Sequence, residues 1–379
     1  MKIIREKLSL KRIIRSFLWR SRIGRYIAEK FWKKVSNGKG LRYLYYNEAE
    51  IFADIPSEFP DPVISAFIKQ DSKRWSKQNE FILEIENALV EPERCLAIRN
   101  WNELIDQSVV TKFDYQFPYI LPYLINRKKT VQIDQAVLYD GSATRNYYHH
   151  FVNALNSLYI HFSKQMLPAD IPFIISRKMF NQPFFQFIYQ RSEELRRLNW
   201  HIQEEGEWLK VKKLYKLQCL HFDPKPWQWC RKLYQLDVVR PYRKVFINRD
   251  KRRFGRYLQN EQEIVSLLQR YGFEMRFMED MGIEEQARLF QEAKYVVALT
   301  GMALIQQFFM NYDEAHVIEI MPNNRLMPEY YWQANTMGIS YYDIIVGGDM
   351  VKGKAYTLDP LVLENAIKRM FSANRQKVA

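Results

Sequence analysis

Five basic side chains crowd one short stretch of this chain. Arg249, Lys251, Arg252, Arg253 and Arg256 follow an apolar run at 244–247 and precede a run of helical spacing that opens at Asn260. Guanidinium groups ahead of a helix N-terminus supply what a phosphate or diphosphate needs, bidentate donors and unpaired backbone N–H groups. A solvated basic loop is the plainer use of the same residues. Asn260, with Glu263 three residues on, has the form of a capping box, which is a structural role. Thr300-Gly301 follows a second apolar run, where glycine permits close backbone approach to a ligand or simply a tight turn. Glu319 ends a third, placed to accept from ribose hydroxyls or to pair with a loop arginine. Upstream, His149 stands where a turn enters a helix. Neutral imidazole there suits proton abstraction near pH 7, or a structural hydrogen bond. Asn153 lies one turn further along the same face. It can orient the imidazole or bind a hydroxyl, but it cannot itself act as a base. His150 is adjacent and easily mistaken for His149.

The surrounding pattern would position these residues. Strand-like runs at 244–247, 273–278, 295–299 and 316–320 alternate with helix-like runs at 260–271, 283–292 and 302–311. That alternation predicts an α/β fold with a parallel sheet covered on both faces. Ligands bind such sheets at the carboxyl ends of the strands, and the arginine loop, Thr300-Gly301 and residues 319–322 all fall there. Tyr330, Tyr331 and Trp332 read as core more readily than as a stacking platform. Glu285 suits the first turn of its helix. Before residue 223 the alternation is less regular: a strand at 130–138, a helix over 148–162 with Phe151, Leu155, Leu158 and Phe162 on one face, a strand at 170–175, a helix over 183–198 and an extended run at 211–220. Prolines 224, 226 and 241 mark residues 223–241 as the crossing between two domains.

The 379 residues suffice for two domains, and the net charge of +14 is concentrated at one end. Residues 1–39 carry 13 Lys/Arg and 2 Asp/Glu, leaving the rest of the chain nearly neutral. Leu10, Ile13, Ile14, Phe17 and Leu18 recur at helical spacing among Lys11, Arg12, Arg15 and Arg20. This reads as a basic amphipathic membrane-surface helix, or as a helix packed on the protein's own core with a solvated face. No run has the length of a transmembrane helix or of a signal-peptide core. No nucleic-acid module follows, so nucleic acid is not an expected partner. Cys95, Cys219 and Cys230 are widely spaced, without the pattern of a disulfide framework or zinc site, which fits a reducing cytoplasm. The chain has no G-x-G-x-x-G, P-loop or G-x-S-x-G motif.

Arg249…Arg256…Asn260-Glu261, Glu285-Gln286…Phe290…Ala293, Gly301…Leu304…Phe308 and Val317-Ile318-Glu319-Ile320 resemble, in order and spacing, the C-terminal half of the family 61 glycosyltransferases, known from capsular polysaccharide biosynthesis. Asn146-Tyr147-Tyr148-His149 is similar to the family's Asn-aromatic-aromatic-His segment. The resemblance covers about half the chain. It implies two Rossmann-like domains of the GT-B type and transfer, with inversion, from a nucleotide-sugar donor to a polysaccharide or lipid-linked acceptor. His149 would be the base with Asn153 beside it, and Arg249, Arg256, Thr300, Gly301 and Glu319 would bind the donor nucleotide and diphosphate. The chain contains no Asp-x-Asp, which favours metal-independent stabilisation by arginine and helix dipole, and no cofactor is expected. The domains would be 1–39, a basic segment on an anionic membrane surface; 40–225, on the acceptor side; and 226–379, binding the donor. The location would be cytoplasmic, peripheral at the inner face of the plasma membrane. Two positions depart from the family pattern: Thr300, where His is usual, and Asn153, where a carboxylate is frequent. They keep open an alternative, a non-catalytic member acting as a membrane-associated scaffold.

Overall fold

A computed structural model of the chain describes residues 33–50, 59–75, 77–92, 95–100, 102–108, 129–139, 146–253, 255–352 and 354–378. Residues 1–32 of the basic amphipathic segment expected over 1–39 lie outside the described residues. The chain divides into two compact units, 1–47 with 79–219 and 48–78 with 220–379. No described helix is long and apolar enough to cross a membrane.

The first unit is built on a nine-stranded sheet. Its strands are β1 (Lys33–Val35), β2 (Leu41–Glu50), β3 (Lys77–Val90), β4 (Ala97–Arg99), β5 (Glu103–Ile105), β6 (Lys129–Leu138), β7 (Pro172–Ser176), β8 (Asn199–Gln203) and β9 (Glu207–Gln218). Their order is β1-β5-β4-β3-β9-β6-β7-β8, with β2 also on β3. Pairing is parallel for β9-β6, β6-β7 and β7-β8, but antiparallel for β3 with β9 and β4. This mixed sheet differs from the all-parallel sheet of a Rossmann-like domain. Leu83, Ile85 and Val90 of β3 pack with Leu209, Val211 and Leu214 of β9 in its core. Between β6 and β7 the chain is helical in three consecutive pieces, Tyr147–His149, a π-helix over His150–Leu155, and Asn156–Lys164. Asn146 caps the start by accepting from the Tyr148 N–H at 3.0 Å. Phe151, Leu155 and Leu158 are buried as their spacing predicts. The helix expected over 183–198 breaks at Ser192, which is extended and caps Glu193–Arg196 through its hydroxyl.

The second unit carries a five-stranded sheet of β10 (Arg243–Asn248), β12 (Glu274–Phe277), β13 (Ala293–Leu299), β14 (His316–Pro322) and β15 (Tyr341–Gly347). All neighbours pair in parallel, in the order β12-β10-β13-β14-β15. A two-residue strand β11 (Tyr257–Leu258) pairs separately with β16 (Ala355–Tyr356). Helices Glu261–Arg270, Ile283–Glu292 and Glu329–Met337 and a 3₁₀ segment Met302–Phe309 alternate with the strands, as the sequence pattern predicts. Phe246, Val297, Leu299, Ile318 and Ile320 meet Ile264, Leu267, Leu268, Leu363 and Ile367 in one cluster. Each such side chain contributes about 1.5–3 kcal/mol on burial. Strand order reverses between β10 and β13, the place where open sheets of this kind bind ligands.

Two features depart from the sequence expectation. The proline-bearing stretch after Asp223, expected as the crossing between domains, contains a regular helix, Pro224–Leu233. Asp223 caps it by accepting from the Lys225 N–H at 2.9 Å, and a proline in the first turn costs no hydrogen bond because N–H groups there have no helical partner. Segment 48–78 belongs with the second unit. Its helix Pro62–Trp75 buries Ile64 and Ile68 against Met321, Trp332 and Ile344, and Asp71 accepts from the Trp332 indole at 2.8 Å.

Candidate functional site

The loop after β10 sorts its own charges. Asp250 is buried and accepts from the Arg252 backbone N–H and Nε, both at 2.9 Å, and from Nη2 at 2.8 Å. These hydrogen bonds hold its carboxyl down at about 2. Arg253 reaches Asp250 at 3.5 Å and Asp280 at 2.8 Å. Arg252 and Arg253 therefore have counter-charges. Arg249 instead crosses the reversal of strand order and donates from Nη1 to the Thr300 carbonyl at 2.9 Å. Burial, helped by the charge of Arg256, pushes its guanidinium down to about 10, which leaves it protonated at neutral pH. Gly301 has an extended backbone, so its role is not conformational. A Cβ built there would lie 2.1 Å from Arg249 Nη1. The guanidinium occupies the space where any other residue's side chain would begin.

Arg256 sits in the left-handed region at φ 64°, which costs a non-glycine residue roughly 1 kcal/mol or more. The turn is held from the far side, where Tyr257 N donates to Lys354 O at 3.0 Å and Gln259 N to Tyr356 O at 2.8 Å. Among the described residues Arg256 makes no ion pair. Burial and the charge of Arg325 both lower its pKa. Arg325, three residues past the end of β14, was not singled out by sequence reasoning, although the loop at the end of that strand was.

Glu319 is fully buried in β14, opposite Ala298 of β13. Tyr342 donates its hydroxyl to Oε2 at 2.7 Å, while Oε1 is buried without a hydrogen bond. Burial pushes the carboxyl up to about 8, against the opposing pull of the nearby Thr300 and Tyr342 hydroxyls and of Arg256. At neutral pH it is mostly protonated. The Thr300 backbone N–H donates to Ile320 O at 2.9 Å, tying the two strand ends together.

The other motif residues are structural. Asn260 does not cap its helix. Its side chain donates to Leu358 O at 2.8 Å and accepts from Leu358 N at 3.2 Å, fastening the stretch after β16. Glu285 accepts from Gly282 N at 3.4 Å at its helix start. Gln286 donates to Met278 O and Met281 O and accepts from Gln306 at 2.7 Å, anchoring the 3₁₀ segment that follows Gly301. Tyr330, Tyr331 and Trp332 are core.

In the first unit, His149 Nδ1 lies 3.0 Å from Asn153 Oδ1. A carbonyl oxygen only accepts, so Nδ1 carries the proton and Nε2 holds the basic lone pair. The pair sits at the junction of the α and π segments; π-turns of this kind are frequent at functional sites. His150 is different. It is fully buried against Tyr139, Phe184 and Phe185, neither ring nitrogen has a hydrogen bond, and burial pushes it down to about 3. The two neighbouring histidines thus separate into a half-buried one with an oriented ring and a neutral core residue.

Among the described residues no three His, Cys, Asp or Glu side chains converge as a metal-ligand set. The chain is thus a mixed α/β protein with basic side chains gathered at the ends of a parallel sheet. Over residues 147–318 it matches the model of the family Glycosyltransferase 61, so the resemblance carried by the motifs is borne out. The match points to glycosyltransferase activity. No curated protein matches the chain.

Proposed function

We propose that the protein is an inverting, metal-independent glycosyltransferase of the GT-B type. It moves a sugar from a nucleotide-diphosphate donor to a cell-surface polysaccharide or lipid-linked acceptor. The observation that carries this reading is Arg256, held left-handed and half-buried without an ion pair among the described residues, on the same strand-end loop as Arg249. A cation removed from water without a counter-ion is costly, and an anionic ligand supplies what is missing. As the bond from sugar to diphosphate breaks, charge builds on the leaving oxygen, and two fixed guanidinium groups stabilise it. His149 takes the acceptor hydroxyl proton at Nε2 while Asn153 holds the tautomer. One base and no covalent intermediate give inversion. The family match supports sugar transfer as the reaction. The positive charge of residues 1–39 supports a place at the inner face of the plasma membrane, where a lipid-linked acceptor emerges.

A second reading, a non-catalytic scaffold, draws on Asn153. A neutral amide orients His149 but does not stabilise the imidazolium as a carboxylate does. One experiment separates the two readings. The full-length protein is incubated with a panel of nucleotide sugars and oligosaccharide or membrane acceptors, and binding and transfer are both measured. Nucleoside diphosphate binding that is lost in Arg249→Ala, with transfer lost but binding kept in His149→Ala, is the expected result. Binding without transfer to any acceptor favours the scaffold. Absence of nucleotide binding at millimolar concentration overturns the proposal.

A further inference from the structure

We infer that Arg325 is a third anion-binding residue of this site, and that it makes the site selective for a diphosphate over a single phosphate. The inference rests on the reading of the Arg249–Arg256 region as an anion site and goes beyond it in number of ligands and in selectivity.

The loop that carries Arg325 leaves the carboxyl end of β14, two strands from β10. It is stitched to the loop after β15. Asn323 donates through Nδ2 to Asp349 at 2.9 Å, Asn324 donates through Nδ2 to Met350 O at 3.2 Å, and Met350 N donates back to Asn324 Oδ1 at 3.0 Å. Arg325 N closes a turn on Pro322 O at 3.1 Å. The backbone under Arg325 is thereby fixed before any ligand arrives, which spares the ordering cost of binding. The side chain has not been neutralised locally. Among the described residues it makes no ion pair, and its Nε rests on the Met327 sulfur at 3.3 Å. This contrasts with Arg252 and Arg253, whose charges Asp250 and Asp280 satisfy.

Its charge is also felt by Arg256, where it is the largest electrostatic influence after burial. The two loops are joined at their bases, since Arg249 Nη1 donates to Thr300 O at 2.9 Å, Thr300 N to Ile320 O at 2.9 Å and Arg325 N to Pro322 O at 3.1 Å. Arg325 itself is exposed, and like charges gathered along one sheet edge favour a bound polyanion. Arg249 and Arg256 share one loop and suffice for one phosphate. A third guanidinium from a separate loop has a use when a second phosphate is present, because each phosphate then receives its own charge-assisted donors.

The test measures binding of inorganic pyrophosphate and of orthophosphate to the full-length protein by calorimetry, at fixed ionic strength. Arg325→Met keeps an apolar stem and removes the charge; Arg325→Lys keeps the charge and removes the planar fork. The wild type should prefer pyrophosphate. Arg325→Met should lose about tenfold or more in pyrophosphate affinity, the size of one charge-assisted hydrogen bond. Its orthophosphate affinity should stay within twofold, which also shows that the variant is folded. Arg325→Lys should fall between the two. Unchanged pyrophosphate affinity in Arg325→Met overturns the inference and leaves the Arg249–Arg256 reading standing. Equal losses for both anions overturn the selectivity claim. A wild-type protein that binds neither anion nor any nucleoside diphosphate overturns the underlying reading and the inference with it.

Discussion

Gly301→Ala adds one methyl group, and its consequence can be worked from the coordinates. The new Cβ would sit 2.1 Å from Arg249 Nη1. Ordinary contact needs about 3.4 Å or more, so the guanidinium must move by over an ångström. Its 2.9 Å hydrogen bond to Thr300 O does not survive that displacement. Backbone strain is not the cause, because φ at Gly301 is 166° and alanine adopts that value readily. Losing a hydrogen bond from a charged donor costs about 1.5–3 kcal/mol. If Arg249 must hold this position to meet the ligand, anion affinity should fall by roughly 10- to 100-fold. Calorimetric titration with pyrophosphate and with a nucleoside diphosphate measures this directly. The decisive comparison is a double-mutant cycle with Arg249→Ala. In that background the clash is gone, and Gly301→Ala should cost less than twofold. The reasoning is refuted if Gly301→Ala binds like the wild type. It is equally refuted if the two substitutions are additive, since glycine would then serve the ligand directly rather than through Arg249.

Two further outcomes follow from buried titratable groups. Glu319 has its carboxyl raised to about 8 from an ordinary value of 4.5, so the folded state keeps a proton that the unfolded state has released. Stability from this group is full below pH 4.5 and is lost as pH rises through 8, on the order of 5 kcal/mol in all. Glu319→Gln should flatten the urea-midpoint profile over that window and be more stable than wild type at pH 8.5; an unaltered slope would count against a protonated Glu319. His150 shifts the opposite way, down to about 3 from 6.5. Its contribution is full above pH 6.5 and is lost as pH falls toward 3. His150→Leu should therefore flatten the acid limb and leave transfer activity near wild type, whereas His149→Leu should abolish transfer. If His150→Leu is the inactive variant, the assignment of the base is wrong.

Where a signal was local, the residues alone were enough. The run from 243 to 347 alternates short β-branched stretches with 3.6-residue periodicity, and both patterns report burial of one face by near neighbours. A parallel sheet with loops at its carboxyl edge after Ile247, Leu299 and Ile318 is legible from that, and so are Arg249, Arg256 and Gly301 as residues to watch. The family motifs were legible for the same reason: type and order survive in the chain without a structure.

What the tertiary structure decided depended on partners far away in the chain. Asn260 has the spacing of a cap, yet its side chain is taken by Leu358, 98 residues later. Residues 48–78 look like part of the N-terminal domain until Ile64 and Ile68 are seen to pack with Trp332 and Ile344. His149 and His150 are indistinguishable as letters; the π-turn and the aromatic wall of Phe184 and Phe185 leave one oriented and bury the other. Five basic residues in one loop read as a single cluster, but Asp250 and Asp280 pair with Arg252 and Arg253, while among the described residues Arg256 makes no ion pair. Charge and periodicity are properties of a segment and can be read from it. Which charges remain uncompensated is a property of the folded surroundings, because compensation acts over ångströms in space and not over residues in sequence.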